Sequence, residues 1–478
     1  MATVLAALTP ATAFAESPAA SSVDEPLRVY AQQQLHWERC DVGQPAALEC
    51  AKVKVPLDYG APSGRTIDIA VSRVKAGSAK DRHGVLLMNP GGPGDPGLTM
   101  PVDMETVLAP EVRARFDLIG FDPRGVGRSS PVACDLTEAE RSFQHPYAAG
   151  TFAKDVEWAR TVADKCRAKA GDVLPYITTR NTARDMDVVR AALGEKRISY
   201  FGYSYGTYLG AVYTQMFPQR ADRFVLDSAV DPTLAWRGVF RGWSEAAELA
   251  FTRWTEWAAA RDTTYHLGAT GAQVRQTYWA LIARADRTPV PTTGGTLTGD
   301  AIRSTYAAFV QPAEVTPWIV ALKASAEGGP AAPALETGSL SDNAAAVAWS
   351  VFCGDTRSWP RDPEQYRRDA VRDRATRPLA GDLGANIQPC AFWKPALEPA
   401  TVVDNDVNAL IVQNQWDPKT PLAMAQGMRR ALHGSRLLTV TGGEGHGVVV
   451  NGPSCVDPTV TRYLTTGRLP ATDGTCGG

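Results

Sequence analysis

Short apolar runs recur along the chain, and polar or glycine-rich segments separate them. Their length and composition are typical of β-strands. The predicted strands cover residues 51–55, 66–74, 85–89, 116–121, 198–201 and 223–227, followed by runs that begin at 409 and 436. One helix is predicted from a cap at Asn181 or Thr182 to a stop at Gly194. Strands that alternate with helices predict an α/β protein with a doubly wound, mostly parallel sheet, whose chemistry lies at the carboxyl ends of its strands.

One of these strand ends carries a serine between two glycines. The segment Gly202-Tyr203-Ser204-Tyr205-Gly206 follows the run at 198–201 and precedes a helical pattern. A G-x-S-x-G string alone is weak in a chain with 42 glycines, but a strand before it and a helix after it are typical of a nucleophile elbow. The sharp turn leaves no room for side chains at the flanking positions, so both need glycine. Ser204 is therefore the candidate nucleophile.

Two later strand ends supply the partners that a serine nucleophile needs. Asp417 lies in the turn after the run at 409, and His446 lies in a glycine-rich loop after the run at 436. A hydroxyl is a weak nucleophile at neutral pH, so His446 would take its proton while Asp417 orients the ring, and an acyl-enzyme would form. The alternatives are an aspartate that only begins an Asp-Pro turn and a histidine of a surface loop. The order Ser, Asp, His favours the catalytic interpretation.

A glycine-rich loop about a hundred residues before the serine offers backbone donors. It runs from Asn89 to Gly94, directly after the strand at 85–89. We expect the N–H groups of Gly92 and Tyr205 to form the oxyanion hole, since Tyr205 begins a helix and lies at its positive end. The alternative is an ordinary flexible turn, but the position after a core strand favours the catalytic loop.

A segment of different pattern interrupts the alternation of strands and helices. Residues 231–400 hold nine of the 12 tryptophans and show helical apolar spacing. A chain of 478 residues exceeds the usual size of one domain. We predict a catalytic core over residues 40–230 and 401–478, with a large helical cap at 231–400 inserted before the last core strands. The tryptophans either shape a lid over the strand ends or fill the core of the cap.

Charge and apolar patterning narrow the expected partners and location. The net charge is −2 and no basic stripe occurs, so nucleic acid is not an expected partner. Residues 1–15 resemble the apolar region and cleavage site of a signal peptide, although a positive n-region is missing. No other run is long enough to cross a membrane. We expect a secreted, extracellular monomer without membrane partners, metal or other cofactor.

The eight cysteines are an even set without C-x-x-C or zinc-finger spacing, which favours disulfides over metal or redox chemistry. Eight cysteines allow many connectivities. Local order suggests the pairs Cys40–Cys50, Cys134–Cys166, Cys353–Cys390 and Cys455–Cys476. The alternative is eight buried thiols in a cytosolic enzyme, which the leader-like segment argues against.

Four motifs together resemble the secreted tripeptidyl aminopeptidases of actinomycetes, in the proline-iminopeptidase-type branch of the α/β-hydrolase serine peptidases. The motifs are Asn89–Gly94, Asp122–Ser129, Gly202–Thr207 and Asp417–Pro421, and the likeness runs from about Cys40 to Cys476. The resemblance implies an α/β-hydrolase fold, the triad Ser204, Asp417 and His446, and release of short peptides, often tripeptides, from free N-termini. It also implies a cap that admits only a chain end. Pro90 stands where proline iminopeptidases usually have histidine, which favours the tripeptidyl branch.

An aminopeptidase must bind a protonated amine, which favours a carboxylate at some distance from the serine. Asp355 is our hypothesis for that carboxylate, against the alternative of a structural or solvated aspartate. Asp122 and Arg124 are expected to brace the loop below the site. Two other functions stay open: a carboxylesterase or lipase with the same triad, and a catalytically silent hydrolase fold that binds peptides or a cell-wall component.

Overall fold

The computed structural model describes residues 27–41, 44–143, 145–334 and 340–477, and the predicted leader at 1–15 lies outside them. A ten-stranded sheet runs through the described part of the chain in the order β1-β2-β3-β5-β4-β6-β7-β10-β11-β12, and β8 and β9 form a separate hairpin. The strands are β1 (Glu38–Arg39), β2 (Glu49–Pro56), β3 (Thr66–Val74), β4 (Gly84–Asn89), β5 (Phe116–Phe121), β6 (Ile198–Tyr203), β7 (Ala221–Asp227), β8 (Val290–Thr292), β9 (Gly295–Leu297), β10 (Ala409–Trp416), β11 (Arg436–Glu444) and β12 (Gly474–Gly477).

The strands from β5 across to β12 are parallel, whereas β1, β2 and β3 pair antiparallel with one another and with β5. The predicted strands occur within a few residues of their expected bounds. Parallel pairing requires crossover connections, and helices supply them on both faces of the sheet. The chain therefore has the α/β-hydrolase fold that the sequence predicted.

The helices are α1 (Arg28–Ala31), α2 (Met100–Asp103), α3 (Pro110–Arg113), α4 (Phe152–Ala170), α5 (Thr179–Ala192), α6 (Tyr205–Met216), α7 (Arg237–Ala259), α8 (Asp262–Tyr265), α9 (Gly271–Arg287), α10 (Gly299–Arg303), α11 (Pro312–Ala326), α12 (Asp342–Gly354), α13 (Pro363–Thr376), α14 (Gly381–Ala385), α15 (Leu422–Ala431) and α16 (Asp457–Thr466). Helix α5 begins earlier than predicted. Its N-cap is Thr178, whose hydroxyl accepts the N–H of Asn181, so Asn181 and Thr182 are helical residues.

Alternating side chains of the central strands enter two different hydrophobic cores. On β4, Val85 and Leu87 pack on the face covered by α5, α6 and α12, and Leu86 and Met88 pack on the face covered by α2, α3 and α16. This period of two explains why β4 is apolar throughout, since both of its faces are buried.

The segment predicted as a cap is largely helical, and its buried residues belong to two cores. Residues between 247 and 332, together with 379–383, form a core of their own. The buried residues of α12 instead join the core that lies against the sheet. Most tryptophans of the segment are packing residues: Trp254 is fully buried among Phe251, Tyr278 and Phe309. The boundaries at 231 and 400 remain predictions.

All eight cysteines are paired. The disulfides are Cys40–Cys50, Cys134–Cys166, Cys353–Cys390 and Cys455–Cys476, as predicted from local order. They tie together segments of the core, the region of α12 and the C-terminus. Within the described ranges, no helix has the length and apolar character needed to cross a membrane.

Candidate functional site

The turn between β6 and α6 holds Ser204 in a backbone conformation that side-chain-bearing residues rarely adopt. Its φ is 57° and its ψ is −123°, which places it outside the helix that begins at the next residue. Such a conformation costs of the order of 1–3 kcal/mol and persists only where the surroundings enforce it. The Ser204 N–H donates to the Asp227 carbonyl oxygen at 3.0 Å, so the neighbouring strand helps to hold the turn.

Glycines surround this turn because other backbone lies where their side chains would be. A Cβ added to Gly202 would lie 2.5 Å from the Gly206 carbonyl oxygen, and one added to Gly206 would lie 2.7 Å from the Asn89 carbonyl oxygen. Real Cβ atoms essentially never approach so closely. The two glycines that the sequence marked are therefore required by packing, and they let the nucleophile turn fit against β4.

Asp417 and His446 are in direct contact. Asp417 follows β10, His446 follows β11, and the His446 Nδ1 atom lies 2.9 Å from both carboxylate oxygens of Asp417. An ionised carboxylate can only accept hydrogen bonds, so the ring proton belongs on Nδ1 and Nε2 is left as an acceptor. The Asp417 side chain is fully buried, and the His446 side chain keeps 18% of its surface exposed.

Other donors fix the Asp417 carboxylate beneath the imidazole. It accepts the N–H groups of Lys419 and Thr420 at 2.8 and 2.9 Å, the Thr420 hydroxyl at 2.9 Å and the Gln413 amide at 3.2 Å. A carboxylate that accepts several hydrogen bonds is stabilised as the anion. The turn after β10 is thus built to hold a negative charge against His446.

Ser204 and His446 lie at the same edge of the sheet, on the loops after β6 and β11. The ring of Tyr203, the residue before Ser204, packs with its centroid 4.8 Å from that of the His446 ring, and the Tyr203 hydroxyl donates to the His446 carbonyl oxygen at 3.3 Å. In the part of the chain that the structure describes, the Ser204 hydroxyl makes no hydrogen bond. Free serine hydrolases often show a long contact at this point, which tightens when substrate binds.

The loop after β4 lies against the elbow. A Cβ on Gly91 would meet the Tyr203 carbonyl oxygen at 2.6 Å and the Tyr205 nitrogen at 3.2 Å, so this glycine makes the close approach. The Gly91 N–H donates to Asn89 Oδ1, whereas Gly92 is exposed. Tyr205 opens α6, where a backbone N–H has no partner within the helix. Of the two predicted donors, Gly92 therefore lies in this loop and Tyr205 lies in the elbow.

Asp122 braces the segment that follows the glycine-rich loop, as expected, whereas the hydrogen bonds of Arg124 go to Asp185 and to the carbonyl oxygens of Pro56, Leu57 and Tyr176. The Asp122 carboxylate accepts the N–H groups of Gly97 and Leu98, which follow the glycine-rich loop, and that of Arg128. Arg124 is fully buried and forms a bidentate ion pair with Asp185 of α5 at 2.6 and 2.7 Å.

Asp355 ends α12 in the interior, behind the elbow. Its carboxylate accepts the Thr179 N–H at 2.8 Å, the Thr179 hydroxyl at 2.6 Å and the Trp236 indole N–H at 3.0 Å. The Thr179 hydroxyl also lies 2.8 Å from the Tyr205 hydroxyl. Burial raises the pKa of Asp355 to about 6. Asp355 also lines a cavity of about 530 Å³ between α5 and α6, whose lining includes none of Ser204, Asp417 and His446.

The comparisons with known proteins agree with this geometry. A family profile described as TAP-like protein matches residues 377–476. A protein of Streptomyces lividans named tripeptidyl aminopeptidase is 36% identical over 471 residues, which cover 93% of this chain and 87% of the relative. The chain belongs to the tripeptidyl aminopeptidase family. It is therefore a serine hydrolase of the aminopeptidase class with the α/β-hydrolase fold.

Two other relatives of this tripeptidyl aminopeptidase family member come from Mycobacterium tuberculosis. The protein named serine protease Hip1 is 31% identical over 488 residues, 93% of this chain and 91% of the relative. The protein named carboxylesterase B is 31% identical over 508 residues, 97% of this chain and 95% of the relative. Names of peptidases and of an esterase thus occur among proteins of similar length and identity.

Helices α7 and α12 approach the site of this family member from the cap region. On α7, the Trp243 indole N–H donates to the Lys419 carbonyl oxygen at 2.5 Å, and Arg253 pairs with Glu444, two residues before His446. At the start of α12, Ala344 packs closely on Gly94: a Cβ added to Gly94 would lie 2.6 Å from the Ala344 carbonyl oxygen. Cap elements therefore contact the loop that carries Asp417, the loop that carries His446 and the glycine-rich loop.

Sequence reasoning missed several residues that hold the His446 loop. The Asn414 amide donates to the carbonyl oxygens of Gly445 and Gly447, and the Asp227 carboxylate accepts N–H groups of the residues that follow. Both residues lie near the carboxyl ends of their strands, and this position was the available signal. Among the described residues, no three histidine, cysteine or acidic side chains are grouped as a metal site.

Proposed function

We propose that this protein is an exopeptidase that releases short peptides, chiefly tripeptides, from free N-termini, with Ser204 as nucleophile, His446 as base and Asp417 as the orienting acid. The observation that carries the proposal is the Asp417–His446 pair at 2.9 Å, on the same sheet edge as a serine held at a φ of 57°. The family relationship supports the same chemistry, and a relative bears the name tripeptidyl aminopeptidase.

The proposed reaction begins with attack of the Ser204 oxygen on the carbonyl carbon of the scissile peptide bond. His446 Nε2 takes the hydroxyl proton, and the Asp417 carboxylate stabilises the imidazolium. The proton then passes to the leaving amine, and the C–N bond breaks. The C-terminal part of the peptide departs, and the N-terminal fragment stays on Ser204 as an ester. Water repeats the sequence and frees that fragment.

Negative charge on the carbonyl oxygen is proposed to be held by the N–H groups of Gly92 and Tyr205. Tyr205 adds the positive end of the α6 dipole to its hydrogen bond. Loss of one such donor typically raises the barrier by about 3 kcal/mol. The close packing of Gly91 on the Tyr205 nitrogen supports this arrangement, because it brings the two donor loops together.

Asp355 remains our proposal for the carboxylate that binds the substrate ammonium. It forms no ion pair within the described residues, and three protein donors leave about one of its roughly four acceptor positions open. A buried carboxylate without a cation is costly, and an ammonium group would offset that cost. The link through Thr179 to Tyr205 would place this anion one tyrosine side chain away from the elbow.

The proposed setting is outside the cell, as a monomer acting on peptides with free N-termini, without nucleic acid or membrane partners. Four disulfides support this location, since such bonds persist in oxidising compartments. The contacts of α7 and α12 with the catalytic loops support exopeptidase action, because a covered cleft favours a chain end over the middle of a chain.

Mass spectrometry of products tests this proposal directly. Purified protein is incubated with a library of short peptides, each supplied with a free and with an acetylated N-terminus. We expect tripeptides from the free peptides and little or no product from the acetylated ones. Cleavage of both sets at equal rates, or release of single residues, would contradict the proposed specificity.

Ester hydrolysis is the second candidate, because one relative of similar length is named carboxylesterase B. The same nucleophile serves both reactions, since an acyl-enzyme forms from an ester or an amide. A matched pair of substrates separates them: one tripeptide joined to aminomethylcoumarin as the amide, and the same tripeptide as a simple alkyl ester. Turnover of the tripeptide alkyl ester without turnover of the amide would favour the esterase.

A further inference from the structure

A second buried carboxylate supports the loop that carries His446. Asp227 ends β7, next to the nucleophile strand, and its side chain is fully buried. One of its oxygens accepts the Val448 N–H at 2.9 Å, and the other accepts the Val449 N–H at 2.8 Å and the Val450 N–H at 3.3 Å. Three consecutive backbone N–H groups, two to four residues after the proposed base, therefore point at one carboxylate.

The contacts of Asp227 continue on both sides. The Ser228 hydroxyl donates to Asp227 at 3.1 Å and accepts the Gly447 N–H at 3.0 Å, so the residue beside His446 is held as well. The backbone of Asp227 contacts the nucleophile turn, since the Asp227 carbonyl oxygen accepts the Ser204 N–H at 3.0 Å. One residue thus contacts both the nucleophile turn and the base loop.

We propose that Asp227 is a positioning residue that sets the distance and orientation of the His446 imidazole relative to Ser204. The inference rests on the proposed function, in which His446 is the base. Asp417 holds the ring of His446 through Nδ1, and Asp227 holds the backbone behind that ring. Because proton transfer requires the ring within hydrogen-bond reach of the serine, a loop that moves by about 1 Å is expected to slow acylation strongly.

A carboxylate is required at position 227 because its neighbours on the loop are all donors. Two ionised oxygens can accept every N–H group of this set, whereas an amide would turn its NH₂ toward them. Protonation has a similar effect, since it converts one accepting oxygen into a donor. The loop would then lose part of its support while the rest of the sheet stays intact.

Burial raises the pKa of Asp227 to about 6, and the four donors oppose that shift. The ionisable groups around it are the Tyr203 phenol on β6, whose pKa is raised by burial and then by Asp227, and the His446–Asp417 pair beyond the loop. Asp227 forms no ion pair in the described ranges of the chain. As pH falls through about 6, protonation of Asp227 is therefore expected to weaken the support of the loop that carries His446.

The test compares Asp227→Asn and Ser228→Ala with Asp222→Asn. Asp222 lies at the other end of β7 and pairs with His83, so its variant makes the same chemical change on the same strand away from the site. The measurements are kcat and KM for a tripeptide amide, the pH dependence of kcat/KM, and the melting temperature. Circular dichroism establishes that each variant is folded.

We expect Asp227→Asn to lower kcat about 100-fold with KM changed less than about threefold, because the substrate contacts are intact and only the base is displaced. Asp222→Asn is expected to match the wild type. The acid limb of log kcat/KM in the wild type should include an inactivating protonation with a midpoint near pH 6, that of Asp227. Asp227→Asn should lack this protonation, because its amide does not titrate.

The proposal is overturned if folded Asp227→Asn keeps kcat within about twofold of the wild type, or if both proteins show the same acid limb. If Asp227→Asn does not fold, Ser228→Ala decides: a twofold or larger loss of kcat at unchanged KM supports the role, and a smaller loss contradicts it. Failure of the proposed function has a different signature, because the wild type would then not hydrolyse the tripeptide amide, or His446→Ala would retain activity.

Discussion

The two halves of the proposed catalytic site are held in opposite ways. On the nucleophile side, glycines at 91, 202 and 206 allow backbone to approach backbone, and Ser204 is positioned by the space that missing side chains leave. On the base side, side-chain carboxylates and amides hold the loop around His446 through many hydrogen bonds. The nucleophile is placed by steric exclusion, and the base is placed by polar contacts.

This difference predicts how each half responds to change. A steric fit fails when volume is added, and it is indifferent to pH. A hydrogen-bond network tolerates small changes of side-chain volume, but its strength depends on which groups are protonated. Substitutions on the two sides should therefore separate into effects on stability and effects on the pH dependence of activity.

The largest effect is expected from the two reacting groups. Ser204→Ala and His446→Ala should each lower kcat by about 10⁴-fold to 10⁶-fold, because neither group alone can form the acyl-enzyme. Steady-state hydrolysis of a tripeptide amide measures the loss, and the melting temperature should stay close to that of the wild type. A variant with more than a tenth of wild-type activity would remove its residue from the triad.

Asp417→Asn should lower kcat by about 10⁴-fold, because an amide favours the wrong ring tautomer of His446. Activity measured from pH 6 to 10 checks the prediction. The matched control is Asp404→Asn, since Asp404 is an exposed aspartate of the predicted catalytic domain. Equal kcat in Asp417→Asn and the control would show that the pair does not orient the imidazole.

On the steric side, Gly202→Ala should cost about 1–3 kcal/mol of unfolding free energy, since its Cβ would meet backbone at 2.5 Å. Gly150→Ala is the matched control, because nothing lies within 4 Å of its Cβ position. Chemical denaturation measures both variants. Equal stability of the two would mean that the turn has room, and that the steric account of the nucleophile side is wrong.

Asp355 is the polar exception beneath the nucleophile side. If it binds the substrate amine, Asp355→Asn should raise KM about tenfold for peptides with a free N-terminus and leave N-blocked esters unchanged. Kinetics on the two substrate types test the assignment. An equal loss on both would identify Asp355 as a structural residue that supports Tyr205 through Thr179.

The smallest effect concerns stability as a function of pH. Burial raises the pKa of Asp355 from 3.8 to about 6, so between these values the folded state keeps a proton that the unfolded chain releases. Its contribution to unfolding free energy therefore falls as pH rises through this window, by at most about 1.4 kcal/mol per pH unit. Urea unfolding at pH 4, 5 and 6 should show that Asp355→Asn lacks this slope. Parallel curves would contradict the buried, raised pKa.

The sequence predicted the parts of the molecule that depend on local pattern. The strands, the elbow glycines and the contact of Asp417 with His446 follow from motifs whose spacing has a physical reason. The four disulfides follow from pairing each cysteine with its neighbour along the chain. The structure differs where distant segments meet. Helix α12 packs into the sheet core, Thr178 caps α5, and Asp227 supports a loop more than 200 residues away. A single buried aspartate at a strand end gives no sign of which loop it will hold.

Covalent labelling tests the central claim most directly. The wild type, His446→Ala and Asp417→Asn are treated with a fluorophosphonate, and digestion followed by mass spectrometry locates the adduct. We predict one adduct, on Ser204, formed rapidly in the wild type and slower by several orders of magnitude in both variants. An adduct on another residue, or equal rates in all three proteins, would contradict the convergence of Ser204, Asp417 and His446.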